Sequence, residues 1–132
     1  MANAVIKRCI PEQVTRHGAV IMLNSNDPVV SGALTFGVYE KPETAFLLSV
    51  FRPGMTFLDV GANLGYYTAL AITRLGKEGK IIALEPDVEN FGFLQKTVRA
   101  NLKVQSKLNG TANFPMIRSR NRCPDYGSIW FR

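Results

Sequence analysis

The fold is decided by the stretch Phe57-Leu58-Asp59-Val60-Gly61-Ala62-Asn63-Leu64-Gly65-Tyr66-Tyr67-Thr68 and by Ala83-Leu84-Glu85-Pro86-Asp87, which follows it. The pattern predicts a buried strand over 56–60, a glycine turn, a helix over 64–75 and a second strand over 80–84. A strand–helix–strand order of this kind indicates an α/β fold with a parallel sheet. Asp59 precedes the glycine turn, and Glu85 ends the second strand.

The glycine turn distinguishes between cofactors. A dinucleotide site needs G-x-G-x-x-G so that backbone N–H groups can approach a pyrophosphate, whereas here Asn63 lies between Gly61 and Gly65. Asp59 would repel a phosphate, and no G-K-[ST] follows the turn, so a phosphate-loop NTPase is excluded. Two carboxylates around the turn suit a ligand with a cationic group and a ribose, and S-adenosylmethionine is such a ligand.

The stretch from Asp59 to Thr68 resembles the first motif of class I S-adenosylmethionine-dependent methyltransferases, in the form typical of the FkbM family. Two further segments are similar to that family, Ser31-Gly32-Ala33-Leu34-Thr35-Phe36-Gly37-Val38-Tyr39-Glu40 and Leu84-Glu85-Pro86-Asp87-Val88-Glu89-Asn90-Phe91. The resemblance covers residues 20 to 105. It implies a Rossmann-like sheet and methylation of hydroxyl oxygens on sugars and natural products.

Eight residues are candidates for cofactor binding. Asp59 and Glu85 are expected to face the positive group and the ribose, and Ala62 and Asn63 to lie along the methionine part. Glu40 matches an acidic position of the FkbM pattern, although it could instead interact with a helix dipole. The complete set is Glu40, Asp59, Gly61, Ala62, Asn63, Gly65, Tyr66 and Glu85. No catalytic residue can be named, and we expect no metal site.

Composition limits the other function classes. A length of 132 residues allows one domain, and the short apolar stretches and the order of the N-terminal residues predict neither a membrane span nor a signal peptide. A cytoplasmic protein is therefore expected. Residues 1–106 carry eleven basic and nine acidic side chains, a net of +2, whereas residues 107–132 carry five and one, a net of +4. Nucleic-acid binding is therefore not expected of the core, and a basic arm remains the alternative for the tail.

The chain divides into an N-terminal strand and turn region (1–37), an S-adenosylmethionine-binding β-α-β-α core (38–110) and a divergent basic tail (111–132). Within these, we predict a strand at 20–23 after a turn at His17-Gly18, a helix from Pro42, and a helix capped by Asp87. The face of that last helix carries Phe91, Leu94, Val98 and Leu102, and Gly92 inside it is expected to serve packing. The segment 114–117 allows a third strand, and the arginines of the tail are expected to be disordered.

The pattern weakens after Gly110, so the predicted fold class is a partial Rossmann-like methyltransferase sheet, incomplete at the C-terminus. A truncation or a change of reading frame would explain this. The predicted function is methyl transfer to a hydroxyl of a small-molecule or glycan acceptor. The alternative is a non-catalytic fragment that binds nucleotide weakly or acts as an interaction module. An open strand edge would also favour self-association.

Overall fold

The computed structural model describes residues 8–109, 116–118 and 127–131, with side chains described over residues 8–106. It opens with an antiparallel hairpin of β1 (Gln13–Arg16) and β2 (Ala19–Met22), in which Arg16 pairs with Ala19. His17 and Gly18 both have positive φ, 51° and 84°, as a two-residue type I′ turn requires. The predicted turn at His17-Gly18 is confirmed, and β2 corresponds to the strand predicted at 20–23. Strand β1 was not predicted.

Helix α1 (Pro28–Phe36) lies in a region for which the sequence predicts only strand and turn, so this prediction is wrong here. Asp27 caps its N-terminus, because the carboxylate accepts hydrogen bonds from the backbone N–H groups of Val29 and Val30 at 3.2 Å. Gly37 ends the helix in the left-handed conformation. Helix α1 therefore has complete capping signals, which short helices need because their intrinsic stability is marginal.

The predicted β-α-β-α core is present. Helix α2 (Lys41–Val50) leads to β3 (Thr56–Val60), α3 (Tyr66–Leu75), β4 (Lys80–Glu85) and α4 (Val88–Asn109). Strands β3 and β4 are parallel, with Asp59 paired to Ala83. Asp87 caps α4 as predicted, since its carboxylate accepts from the N–H of Asn90 at 2.8 Å. The order of these elements brings the ends of both parallel strands to one edge of the sheet.

The sheet has four strands in the order β3-β4-β6-β5, where β5 is Met116–Arg118 and β6 is Gly127–Phe131. Strand β6 pairs antiparallel to both β4 and β5. The expectation of disorder is therefore wrong for Arg118, which ends β5, and the arginines at 120, 122 and 132 lie outside the described residues. The third strand allowed by the sequence at 114–117 overlaps β5. The chain is thus mixed α/β with small sheets, and the boundaries at residues 37 and 110 stay predictions.

The buried apolar core is formed mainly by residues of β2, α3, β4 and α4. Leu94 and Val98 are fully buried on the predicted face of α4, and Phe91 and Leu102 pack against the same core. Helix α4 also satisfies the backbone of β2: Asn101 accepts from the N–H of Val20 at 2.9 Å and donates to its carbonyl at 2.6 Å. Thr97 accepts from the N–H of Met22 at 3.0 Å. These polar side chains bind the free edge of β2, so the hairpin is held to the core by hydrogen bonds as well as by apolar contact.

One face of β3 is open, which contradicts the prediction that this strand is buried. Leu58 and Val60 are 56% and 71% exposed, whereas Asp59, which points to the opposite face, is buried. Strand β3 is an edge strand, and within the described part of the chain no element covers Leu58 and Val60. No helix in that part is long and apolar enough to cross a membrane.

Candidate functional site

The turn that joins β3 to α3 is held by its own backbone N–H groups. Those of Gly61 and Ala62 donate to the carbonyl of Leu84 at 2.8 and 2.9 Å. The N–H of Asn63 donates to Oε2 of Glu85 at 2.7 Å, and that of Gly65 donates to the carbonyl of Ala62 at 2.8 Å. Four of the five N–H groups from 61 to 65 are thus bonded within the protein. A phosphate approaching this turn would have to displace these acceptors.

Gly61 and Gly65 both have positive φ but differ in their surroundings. A Cβ added to Gly61 would meet nothing within 4 Å, so the turn is open there. A Cβ on Gly65 would lie 2.6 Å from Cδ1 of Leu94. Gly65 therefore lets α4 approach the turn, and the structure places it against the core rather than at an open surface.

Asp59 is buried at the end of β3, below the first turn of α3. Its Oδ2 accepts a hydrogen bond from Oγ1 of Thr68 at 2.5 Å. Burial raises the pKa of Asp59, hydrogen bonds from the side chain and backbone of Thr68 oppose this, and the charge of Glu85 raises it further. Ionised Asp59 is therefore costly without a ligand, and a nearby cation would stabilise it.

Glu85 is 5% exposed at the end of β4. One oxygen accepts from the N–H of Asn63 and the other from the N–H of Asp87, at 2.7 and 2.8 Å. The side chain thus connects the turns that follow β3 and β4. A carboxylate has about four acceptor positions, so these two bonds leave capacity for further donors such as hydroxyl groups.

Glu40 lies before α2 with a φ of 34°, and its carboxylate accepts a hydrogen bond from the hydroxyl of Tyr67. Burial raises the pKa of Tyr39 to about 12, and the neighbouring Glu40 carboxylate contributes. Tyr66 packs edge to face against Tyr39, and its hydroxyl shares a hydrogen bond of 3.1 Å with Thr44. Together these contacts fix the positions of three tyrosines, Tyr39, Tyr66 and Tyr67, beside Glu40.

These groups surround a cleft of about 170 Å³, which we call the acidic cleft. Six of the eight predicted residues line it: Glu40, Asp59, Gly61, Ala62, Asn63 and Tyr66. Gly65 and Glu85 do not line the cleft, although Glu85 accepts a hydrogen bond from the backbone N–H of Asn63, which does. Six further residues line the cleft that are absent from the predicted set: Val30, Leu34, Tyr39, Val60, Leu64 and Tyr67. The aromatic pair at 66–67 is a signal for Tyr67, and Leu34 and Tyr39 lie in the segment that resembles the FkbM family.

The charged groups of the acidic cleft are the carboxylates of Glu40 and Asp59, beside the hydroxyls of three tyrosines. Oδ1 of Asn63 is buried and has no hydrogen-bond partner among the described residues. None of the described residues that line the cleft is Lys, Arg or His. No group of three or more His, Cys, Asp or Glu that could hold a metal ion occurs among the described residues. The cleft is therefore suited to a ligand with positively charged donor groups.

A distant similarity to a known protein bears on the function. No family model and no solved structure matches the chain. A protein from Methylobacillus flagellatus, described as ribosomal RNA large subunit methyltransferase E, is 32% identical over 68 residues. The alignment covers 46% of this chain and 33% of that relative, so the chain spans about a third of the relative's length. This similarity supports a relationship to methyltransferases and suggests methyl transfer in general.

Proposed function

We propose that this chain is an FkbM-like methyltransferase that binds S-adenosylmethionine in the acidic cleft and transfers a methyl group to a hydroxyl of a sugar or natural product in the cytoplasm. The observation that carries the proposal is that Glu40 and Asp59 line one cleft to which the described part of the chain contributes no basic side chain. A sulfonium and an α-ammonium are attracted by such a site, and a phosphate is repelled.

The hydrogen-bonded turn at 61–65 favours S-adenosylmethionine over a dinucleotide as the cofactor. A Rossmann site for NAD offers free N–H groups at the start of the helix, and here those of Gly61, Ala62 and Asn63 already donate within the protein. Asp59 occupies the position beside the helix start that an anion would take. The parallel pair β3 and β4, joined through α3, is what a partial Rossmann-like sheet would contribute.

Different residues of the cleft would bind different parts of the cofactor. Glu40 and Asp59 would bind its cationic groups, and the unpartnered Oδ1 of Asn63 would accept from the ammonium. The remaining acceptor positions of Glu85 would bind ribose hydroxyls. When bound, S-adenosylmethionine would supply a sulfonium methyl group: the acceptor hydroxyl oxygen would form the new C–O bond in line with the S–CH3 bond that breaks, S-adenosylhomocysteine would leave, and the hydroxyl proton would pass to solvent. These residues contribute by orientation, which is a major source of rate in such transfers.

RNA is a second candidate acceptor, favoured by the name of the M. flagellatus relative. The charge distribution opposes it, because residues 1–106 have a net charge of only +2 and phosphate contacts dominate RNA affinity. Binding of the full chain to a short RNA, measured at two salt concentrations, separates the two. Strong, salt-dependent binding would favour the RNA acceptor over a sugar or natural product.

The test is calorimetric titration of the full chain with S-adenosylhomocysteine and S-adenosylmethionine. Asp59→Asn should weaken binding of the sulfonium-bearing S-adenosylmethionine more than tenfold, since a charge-assisted contact is worth about 1.5–3 kcal/mol. Glu78→Gln removes a carboxylate at the opposite end of the sheet and should bind as the parent does. Equal affinity in all three proteins would contradict the proposal.

The pH dependence gives an independent check. The pKa of Asp59 is raised in the folded protein, so lowering the pH through it protonates the residue. Without ligand, the folded state is then favoured, because it binds the proton more tightly than the unfolded chain does. S-adenosylmethionine affinity should instead fall, since the cation loses its partner, and Asp59→Asn should remove both trends.

A further inference from the structure

A second and larger cleft, of about 370 Å³, adjoins the acidic cleft. Leu34, Tyr39 and Tyr66 line both clefts, so these side chains form the partition between them. The second cleft lies between the β1–β2 turn, the end of α1 and one side of α2. We call it the basic cleft, because Arg16, His17 and Lys41 line it and none of the described residues that line it carries a carboxylate.

Arg16 is held in place by backbone carbonyls. Its Nε donates to Leu34 at 3.0 Å, and its Nη2 donates to Thr35 at 2.7 Å, both at the end of α1. Nη1 donates to Thr15 at 3.3 Å. A guanidinium has five N–H donors, and the hydrogen bonds to described residues use three. The fixed guanidinium therefore keeps donors for an anionic oxygen.

The rest of the basic cleft is mostly apolar, with Thr44 as a further polar residue. Ala45 and Leu48 of α2 line it together with Leu34 and the rings of the two shared tyrosines. A site with an apolar floor and a few polar groups is typical for small molecules. The charge of the basic cleft is opposite in sign to that of the acidic cleft. The basic cleft therefore attracts anions and repels cations, and the acidic cleft attracts cations and repels anions.

We propose that the basic cleft binds the methyl acceptor, and that this acceptor carries a carboxylate or phosphate on an apolar or aromatic body. The inference rests on the proposed function, because it assigns the second substrate of the same reaction. Opposite charges keep donor and acceptor in adjacent clefts, and transfer requires the side chains that border both, Leu34, Tyr39 and Tyr66, to turn aside so that the acceptor oxygen contacts the sulfonium methyl. A hydroxyl on the acceptor body would then face the partition while the anionic group contacts Arg16 and Lys41.

The test compares three probes on the full chain by calorimetry at low salt: 4-hydroxyphenylacetate, its neutral carboxamide, and 4-hydroxybenzylphosphonate. The carboxylate or the phosphonate should bind about tenfold more tightly than the carboxamide, and the tighter of the two identifies the anionic group. Lys41→Gln should weaken the anions about two- to fivefold and leave the carboxamide unchanged. Lys103→Gln removes an exposed charge on α4, outside the cleft, as the matched control.

Ala45→Phe fills the cleft from the exposed side of α2 and should weaken all three probes. The proposal is overturned if the carboxamide binds as well as the anions, if Lys41→Gln and Lys103→Gln have equal effects, or if Ala45→Phe binds the probes unchanged. Titration with S-adenosylhomocysteine separates the two proposals. Probe binding without cofactor binding would refute the proposed function, and the reverse would refute this inference.

Discussion

Replacing Glu85 by alanine should destabilise the fold itself, although its position at a strand end suggests a role in ligand binding alone. The carboxylate is 5% exposed and accepts from the N–H groups of Asn63 and Asp87 at 2.7 and 2.8 Å. Each hydrogen bond to a charged group is worth about 1.5–3 kcal/mol. Asp87 is exposed, so water can replace one acceptor. We therefore expect Glu85→Ala to cost about 2–4 kcal/mol.

Urea denaturation followed by circular dichroism measures this cost. With a slope of about 1–1.5 kcal/mol/M for a small protein, the midpoint should fall by about 1.3–4 M. Glu85→Gln keeps one acceptor oxygen, so its midpoint should lie between those of the parent protein and of Glu85→Ala. It also provides a measurement if the alanine variant does not fold. Glu78→Ala, an exposed carboxylate before β4, should unfold as the parent does. A parental midpoint for Glu85→Ala would refute the role of Glu85 in connecting the two turns.

Three further predictions concern packing and the open sheet. Asn101→Leu should cost about 1–3 kcal/mol in urea denaturation, because it leaves the half-buried N–H and carbonyl of Val20 without the side-chain partner they have now; an unchanged midpoint would contradict this. Gly92→Ala should stabilise the protein by about 0.5–1 kcal/mol, since a Cβ there meets nothing within 4 Å, whereas Gly65→Ala should destabilise it; the opposite order would refute the packing described here. Leu58→Lys should reduce self-association in sedimentation velocity, since we propose that the exposed face of β3 drives it; an unchanged distribution of species would exclude that face.

The parts of the fold that were predicted correctly are those specified by local pattern. The apolar run at 56–60, the turn residues and the cap at Asp87 are contiguous signals, and the observed elements match them closely. The expectation that Gly92 serves packing is wrong, because a Cβ there would meet open space. Helix α1 was missed because its capping signals at Asp27 and Gly37 flank a segment that also contains turn formers.

The remaining features depend on contacts between distant residues. Asn101 bonds Val20 across 81 positions, and no periodicity in α4 marks a buried asparagine for that purpose. Strand β3 has the composition of a covered strand, and its exposure depends on which elements lie beside it. Asp59 and Glu40 were recognisable singly, but only the fold shows that they share a cleft, and the bonds from Glu85 to the turn were not visible in the sequence.

The central claim is that the cleft selects a sulfonium cofactor rather than a dinucleotide. The most direct measurement is calorimetric titration of the full chain with S-adenosylmethionine and, separately, with NAD under the same conditions. Since Asp59 and Glu40 attract cations and the N–H groups of the turn are already bonded, we predict measurable binding of S-adenosylmethionine and weaker or no binding of NAD. Tighter binding of NAD would contradict the account.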